Sequence, residues 1–180
     1  MEHFFERFFN HIGEDAKREG LLKTPERVIK SWENLYNGYK KNPLDLLKAT
    51  QYSENYDEMV ILKDIEFYSM CEHHILPFFG KVNIGYIPNA KLVGISHLVE
   101  LVDIFARRLQ IQERLNEQIT DCIWNALNPK GVMVVIEATH LCMAMQDKKN
   151  AKIITSALRG TFKKDARSRA EFMAHIKRNA

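Results

Sequence analysis

The chain has few of the features that mark secreted, membrane or nucleic-acid-binding proteins. It contains three cysteines in 180 residues, too few for a disulfide framework, and no apolar run long enough to cross a membrane. The N-terminal residues mix acidic and basic side chains and lack the pattern of a signal peptide. A net charge of +3 suits a local site for a small anion but is too weak to predict nucleic-acid binding. We therefore expect a cytoplasmic protein with no membrane or nucleic-acid partner.

The chain also lacks signs of division into several domains. Its eight glycines and five prolines form no linker, and it contains no internal repeat or low-complexity segment. Apolar residues make up 46% of the sequence, which is enough to build a core. We expect a single domain over residues 1–180, with a helical N-terminal part in 1–57 and the core in 58–180.

Hydrophobic periodicity predicts the secondary structure. A period near 3.6 or a start signal predicts five main helices and a short one, and alternation or branched and aromatic residues predict four strands. The predicted helices are 2–12, Thr24 (as N-cap) to about Tyr36, about 43–49, Ser96 to about Leu109, Glu113–Leu127, and a last helix capped by Asp165. The predicted strands are 58–70, 80–88, 131–143 and 151–162, with a connecting loop at 71–78.

This order of elements predicts an α+β fold. Helices come first, followed by two strands, two helices, two strands and a helix, which favours a four-stranded antiparallel sheet with helices on one face. Such a sheet leaves two edges unpaired, so edge-to-edge association of subunits is expected.

Cysteine and histidine are concentrated in two short motifs. The loop contains "MCEHH", in which Cys71 and His74 have a C-x-x-H spacing, and the third predicted strand ends in "HLC", with His140 and Cys142 on one face. Three ligands from Cys71, His74 and Cys142 would leave a fourth metal position for water, with His73 and His140 beside it for proton transfer. The alternative is that the cysteines fill a core and the histidines are solvated. Spacing alone leaves both interpretations open.

The third cysteine, Cys122, has no such neighbours in the sequence. It lies in the predicted helix Glu113–Leu127. We expect it to be buried and to take no part in chemistry.

Five segments together resemble one family, GTP cyclohydrolase I. They are "REGLLKTPERV", "EFYSMCEHHILPFFGKVNIGYIPNAKLVGIS", "RRLQIQERLNEQI", "VVIEATHLCM" and "TSALRGTF", which follow the family order over nearly the whole chain. The resemblance implies a zinc-dependent enzyme that opens the imidazole ring of GTP, releases formate and forms 7,8-dihydroneopterin triphosphate, the first step of tetrahydrofolate and pterin biosynthesis. It also implies the tunnelling fold and a toroidal homodecamer with active sites between subunits.

The resemblance also implies roles for single residues. Zinc would be bound by Cys71, His74 and Cys142, and protons would be transferred by the two other histidines of the motifs, His73 and His140. Residues of the "QERL" motif and two upstream polar residues would bind the substrate: Glu113 the guanine ring with Gln112 beside it, and Lys30 and Ser96 the phosphates.

The sequence departs from the family pattern at its phosphate contacts. His97 and Glu100 stand where relatives usually carry lysine and arginine, and Gln146 stands in place of a further arginine. Glu100 would repel a polyanion. Four nearby cations either compensate for these changes or form a solvated charged face: Lys148, Lys149, Lys152 and Arg159.

These departures keep two alternative functions open. One is an enzyme for a purine nucleotide with fewer phosphates, and the other is a non-catalytic nucleotide-binding homologue.

Overall fold

A computed structural model describes residues 2–146 and 151–177 of the chain. Two short 3₁₀ turns, Glu19–Leu21 and Asn37–Lys40, accompany the regular elements. The helices are α1 (Glu2–Ile12), α2 (Thr24–Leu35), α3 (Pro43–Thr50), α4 (Ile95–Ala106), α5 (Gln112–Leu127), α6 (Leu141–Ala144), α7 (Thr161–Lys164) and α8 (Ala166–Lys177). The strands are β1 (Gln51–Ser53), β2 (Val60–Cys71), β3 (Pro77–Ile87), β4 (Lys91–Val93), β5 (Leu109–Gln110), β6 (Gly131–His140) and β7 (Lys152–Gly160).

The α+β fold class is confirmed, and the main sheet contains one strand more than predicted. Its order is β5-β2-β3-β6-β7, and β1 and β4 form a separate two-stranded sheet. The four predicted strands, β2, β3, β6 and β7, pair in antiparallel fashion as expected. The additional strand β5 pairs parallel to the end of β2 through only two residues, a length too short to produce a periodic signal.

Helices cover both faces of the sheet, although the sequence predicted one. The larger core lies on the face covered by α3, α4 and α5, where Leu47, Leu101 and Ile119 are fully buried with alternate residues of β3 and β6. On the other face Phe172 of α8 is fully buried. Gly85 makes room for its ring, since a Cβ there would lie 2.6 Å from Phe172 Cδ2. The apolar stripe of α8 indicates that a face is buried but not which side of the sheet buries it.

Several predicted boundaries change locally. Strand β6 ends at His140, and Leu141–Ala144 form a helical turn where the sequence predicted continued strand to residue 143. Thr24 is the first residue of α2 and not its N-cap, which is Lys23. Asp165 caps α8 as predicted, because its carboxylate accepts hydrogen bonds from the backbone N–H groups of Arg167 and Ser168.

The N-terminal helix α1 packs against the protein through two of its four phenylalanines. Phe5 and Phe9 are buried, and Phe5 contacts Trp32 of α2 with ring centroids 6.0 Å apart. Phe4 and Phe8 are exposed. None of the helices in residues 2–146 and 151–177 combines the length and the hydropathy that a membrane crossing requires.

Candidate metal centre and active site

A tight turn between β2 and β3 presents the first group of candidate ligands. Cys71 closes this hairpin, because its N–H donates to Leu76 O and its carbonyl accepts from Ile75 N. Ile75 has a φ of 53°, a conformation that a β-branched residue rarely adopts. Its neighbours His73 and His74 are exposed, whereas Cys71 is buried. The turn therefore holds a buried thiol and two exposed imidazoles within four residues.

The second group reaches the same place through the pairing of β3 with β6. Phe78, near the start of β3, lies opposite His140 at the end of β6. The helical turn α6 then carries Cys142, which is buried. The two motifs, remote in the sequence, are thus neighbours at one end of the sheet.

Cys71, His74 and Cys142 form a group that can hold a metal ion. Their nearest donor atoms all lie within 4.8 Å of one another, and Cys71 Sγ is 3.8 Å from His74 Nδ1. A tetrahedral zinc ion, with Zn–S of about 2.3 Å and Zn–N of about 2.0 Å, spaces its ligand atoms roughly 3.6–3.8 Å apart. The Cys71–His74 distance is close to this spacing, and no pair needs to close by more than about 1 Å to reach it. Two thiols and one imidazole are donors that zinc prefers, so the residues fit this ion.

The two remaining histidines flank the group. His73 Nδ1 lies 4.0 Å from Cys71 Sγ. The ring of His140 is stacked on Phe78, with centroids 4.7 Å apart and planes 6° from parallel, and its Nε2 lies 2.9 Å from Gln112 Oε1. Burial lowers the pKa of His140, and the nearby charge of Glu113 opposes this shift.

The two residues expected at the guanine ring differ in their accessibility. Glu113, in the first turn of α5, is exposed in the single chain. Gln112 is buried, with 1% of its surface exposed, and its amide is used in contacts within the protein. Glu113 is therefore open to a ligand from solvent, whereas the side chain of Gln112 is not.

One ion pair at the site was missed by the sequence analysis. The guanidinium of Arg114 donates to both carboxylate oxygens of Glu72, including Nη2 to Oε1 at 3.0 Å. This pairing lowers the pKa of Glu72 and raises that of Arg114. The backbone N–H of Glu72 also donates to Gln110 O at 3.0 Å. Together these contacts fix the turn that carries His73 and His74 to the start of α5. Each motif contains one of the two charges, but their distance in the sequence gave no sign that they pair.

The expected phosphate contacts are accessible from solvent. Lys30 on α2 and Ser96 on α4 are both exposed. Glu100 is paired with Lys41, whose Nζ lies 2.8 Å from its carboxylate.

The cations suggested as compensation are in part already paired. Lys152 lies 2.6 Å from Glu137, and Arg159 pairs with Asp121 at 2.8 Å and with Glu117. Lys148 and Lys149 lie outside the described residues. The two described cations thus behave as members of a charged face with local acidic partners.

Comparison with known proteins identifies the family. An α+β fold with a Cys-His-Cys group beside two imidazoles is an arrangement suited to a metal-dependent enzyme. The family model described as GTP cyclohydrolase I matches residues 1–177. GTP cyclohydrolase 1 of Wolinella succinogenes is 58% identical over 98% of this chain and 96% of its own, and that of Helicobacter pylori G27 is 54% identical over 98% and 99%. The chain therefore belongs to the GTP cyclohydrolase I family, and the predicted family and enzyme class are confirmed.

Similarity to solved structures is weaker. The apo crystal structure of an archaeosine synthase QueF-Like protein shares 20% identity over 55% of this chain and 92% of its own, with a TM-score of 0.45. We draw no functional conclusion from it.

Proposed function

We propose that the chain is a zinc-dependent GTP cyclohydrolase I that hydrolyses the imidazole ring of GTP to formate and 7,8-dihydroneopterin triphosphate, at the start of tetrahydrofolate and pterin biosynthesis. The observation that carries the proposal is the grouping of Cys71, His74 and Cys142 donor atoms within 4.8 Å, with His140 two residues before Cys142 in the chain. The match of the family over residues 1–177 supports the same reaction.

Zinc is the proposed cofactor, held by Cys71, His74 and Cys142. A zinc ion held there would lower the pKa of a coordinated water to about 7. Three protein ligands are the number found in catalytic zinc sites, which keep a further position for water or substrate.

The protein's own residues bind the guanine and move protons. The carboxylate of Glu113 can accept hydrogen bonds from the N1–H and the exocyclic amine of guanine, which present two parallel donors. His73 and His140 are the proposed proton-transfer groups, since His73 Nδ1 lies 4.0 Å from Cys71 Sγ and His140 is two residues from Cys142 in the chain. His73 would donate or accept a proton at the exposed side of the turn, and His140 would do so at the end of β6.

Lys30 and Ser96 are the proposed phosphate contacts. The pairing of Glu100 with Lys41 reduces the repulsion that a free carboxylate would exert on a triphosphate. The absence of the usual cations at His97 and Gln146 still favours, as the second candidate function, a purine nucleotide with fewer phosphates.

The test is release of formate from GTP, measured with and without a zinc chelator. We expect formate and, after oxidation, a fluorescent pterin from the untreated enzyme, loss of both with chelator, and recovery on adding zinc. Rates for GTP, GDP, GMP and guanosine separate the two candidates. A marked preference for GTP supports the first, and a flat or inverted order supports the second. A zinc-loaded protein that binds nucleotide without releasing formate would contradict both and favour a binding protein.

We further propose that the subunits form a homodecamer with active sites between them, in the cytoplasm. Strand β7 is an edge of the sheet with Ile154 exposed, and β5 covers only two residues at the other edge. Unpaired edges of this kind favour strand addition by a neighbouring subunit. We also propose that residues 1–180 form one domain, because Leu47 of the N-terminal part lies in the main core. Light scattering of the purified protein measures the number of subunits.

A further inference from the structure

The side chain of Gln112 occupies a buried position between α5 and the end of the sheet. It is 1% exposed and makes four polar contacts. Its Nε2 lies 3.1 Å from Ile136 O, 3.0 Å from Ile153 O and 3.2 Å from Thr155 Oγ1, and its two hydrogens can donate to the two carbonyl oxygens. Its Oε1 lies 2.9 Å from His140 Nε2. A side chain held in this way cannot also turn toward a bound guanine.

The backbone carbonyl groups that face the Gln112 amide show which of its two terminal atoms is the nitrogen. Amide oxygen and nitrogen are not distinguished by shape, so the hydrogen-bond partners must assign them. The carbonyl oxygens of Ile136 and Ile153 can only accept, and the amide atom that faces them must therefore be the nitrogen. The oxygen is then the atom that faces His140.

This orientation in turn determines the tautomer of His140. The amide oxygen of Gln112 can only accept, so Nε2 of His140 must carry the proton. In a neutral imidazole with Nε2 protonated, Nδ1 holds the free electron pair. The stacking of the ring on Phe78 restricts its rotation.

We propose that Gln112 is a positioning residue, which holds His140 in the Nε2–H tautomer and so makes Nδ1 the nitrogen that takes up and returns a proton during ring opening. This inference rests on the proposed function for its reaction. It also revises the role expected for Gln112 from the family resemblance, which was contact with the substrate.

The contacts behind Gln112 fit a positioning role. Thr155 Oγ1 contacts Gln112 Nε2 and also accepts from Asn116 Nδ2, at 3.0 Å. The amide of Gln112 is thus anchored by β6 and β7, and Thr155 of β7 is itself held by Asn116 from the next turn of α5. A residue that only filled space would not need four polar partners in a buried site.

The test compares Gln112→Met with Gln118→Met. Methionine has nearly the length of glutamine but cannot donate to the carbonyls or accept from His140. Gln118 lies on the same helix, and its contact is with Gln110 and not with the histidine. We expect Gln112→Met to lower kcat by roughly 10- to 100-fold with KM for GTP within about threefold, and Gln118→Met to change neither beyond about twofold. A rise in KM of tenfold or more with kcat retained would instead make Gln112 a substrate-binding residue.

A second measurement determines the tautomer of His140 directly in the wild-type protein. In protein labelled with ¹⁵N-histidine, the ring signals of His140 are assigned by their loss in His140→Ala, at about pH 8, where an ordinary imidazole is neutral. We expect a protonated Nε2 and an unprotonated Nδ1 in the wild type, and a mixture of tautomers in Gln112→Met. A protonated Nδ1 in the wild type would overturn the proposal even if Gln112→Met did not fold.

The two proposals fail separately. An enzyme that releases no formate from GTP refutes the proposed function, while the tautomer measurement still tests the pairing of Gln112 with His140. Formate release with Nδ1 protonated refutes the positioning role alone.

Discussion

Cys142 and Cys122 form a matched pair for testing the metal proposal. Both side chains are buried, with 8% and 7% of their surface exposed, but only Cys142 belongs to the group of donor atoms around Cys71. Replacing either by alanine removes one buried sulfur and creates a similar small cavity. The variants should therefore lose comparable packing energy and differ in metal binding.

The expected effect of metal on stability follows from mass action. A ligand present at a hundred times its dissociation constant stabilises the folded state by about 2.7 kcal/mol. In a chain of this size about 1 kcal/mol shifts the melting temperature by roughly 2–4 °C, so chelation should lower it by roughly 5–11 °C. The wild type and Cys122→Ala should both show this decrease. Cys142→Ala should melt at the same temperature with and without chelator.

The assay is differential scanning fluorimetry, with the zinc content of each protein measured by atomic absorption. Equal chelator shifts in Cys142→Ala and Cys122→Ala would refute the assignment of Cys142 as a ligand. So would equal zinc content in the two variants. A shift absent from all three proteins, with zinc present in none, would refute the metal site itself.

Three further predictions concern other parts of the structure. Phe172→Ala should lower the free energy of unfolding by about 3–5 kcal/mol in urea denaturation, with zinc content per folded chain unchanged, because the ring is buried in the smaller core and the candidate ligands Cys71 and Cys142 belong to the larger one. Glu72→Gln should lower kcat/KM for GTP while leaving the far-ultraviolet circular dichroism unchanged, since it removes one charge of the pair that fixes the histidine turn; an unchanged kcat/KM would contradict this role. Burial raises the pKa of the Cys122 thiol to about 11, so that at pH 8 only about one molecule in a thousand carries a thiolate. Mass spectrometry should find Cys122 unmodified by iodoacetamide in the native protein and modified after denaturation, whereas rapid native labelling would contradict the buried position.

Local patterns were sufficient to predict most of the fold. Strands β2, β3, β6 and β7 follow from branched and aromatic residues or from alternation, and the start of α8 follows from the capping side chain of Asp165. The features that were wrong or missed depend on partners remote in sequence. Strand β5 exists only because two residues meet the end of β2, and α8 takes its side of the sheet because Gly85 leaves space for Phe172.

In the candidate site, too, the sequence indicated some residues, whereas the contacts between remote residues were missed. Residue type and spacing made Cys71, His74 and Cys142 candidate ligands but left burial in a core as an alternative, and the grouping of their donor atoms within 4.8 Å favours the metal interpretation. The contacts of Gln112 and Arg114 were not predictable from the sequence. An amide or a guanidinium can pair with many other polar side chains and backbone groups, and the sequence does not show which of them will be near. Only the register of β3 with β6 and the position of α5 decide which partner is near.

The short segment from β5 into the first turn of α5 contacts both of the cysteine and histidine motifs. Gln110 O accepts from the backbone of Glu72, Gln112 is hydrogen-bonded to His140, and Arg114 is paired with Glu72. Five consecutive residues, 110–114, therefore hold the turn that carries His74 and the ring of His140 at once. A single residue inserted in this segment would change both sets of contacts together, whereas an insertion in a surface loop elsewhere would leave them intact.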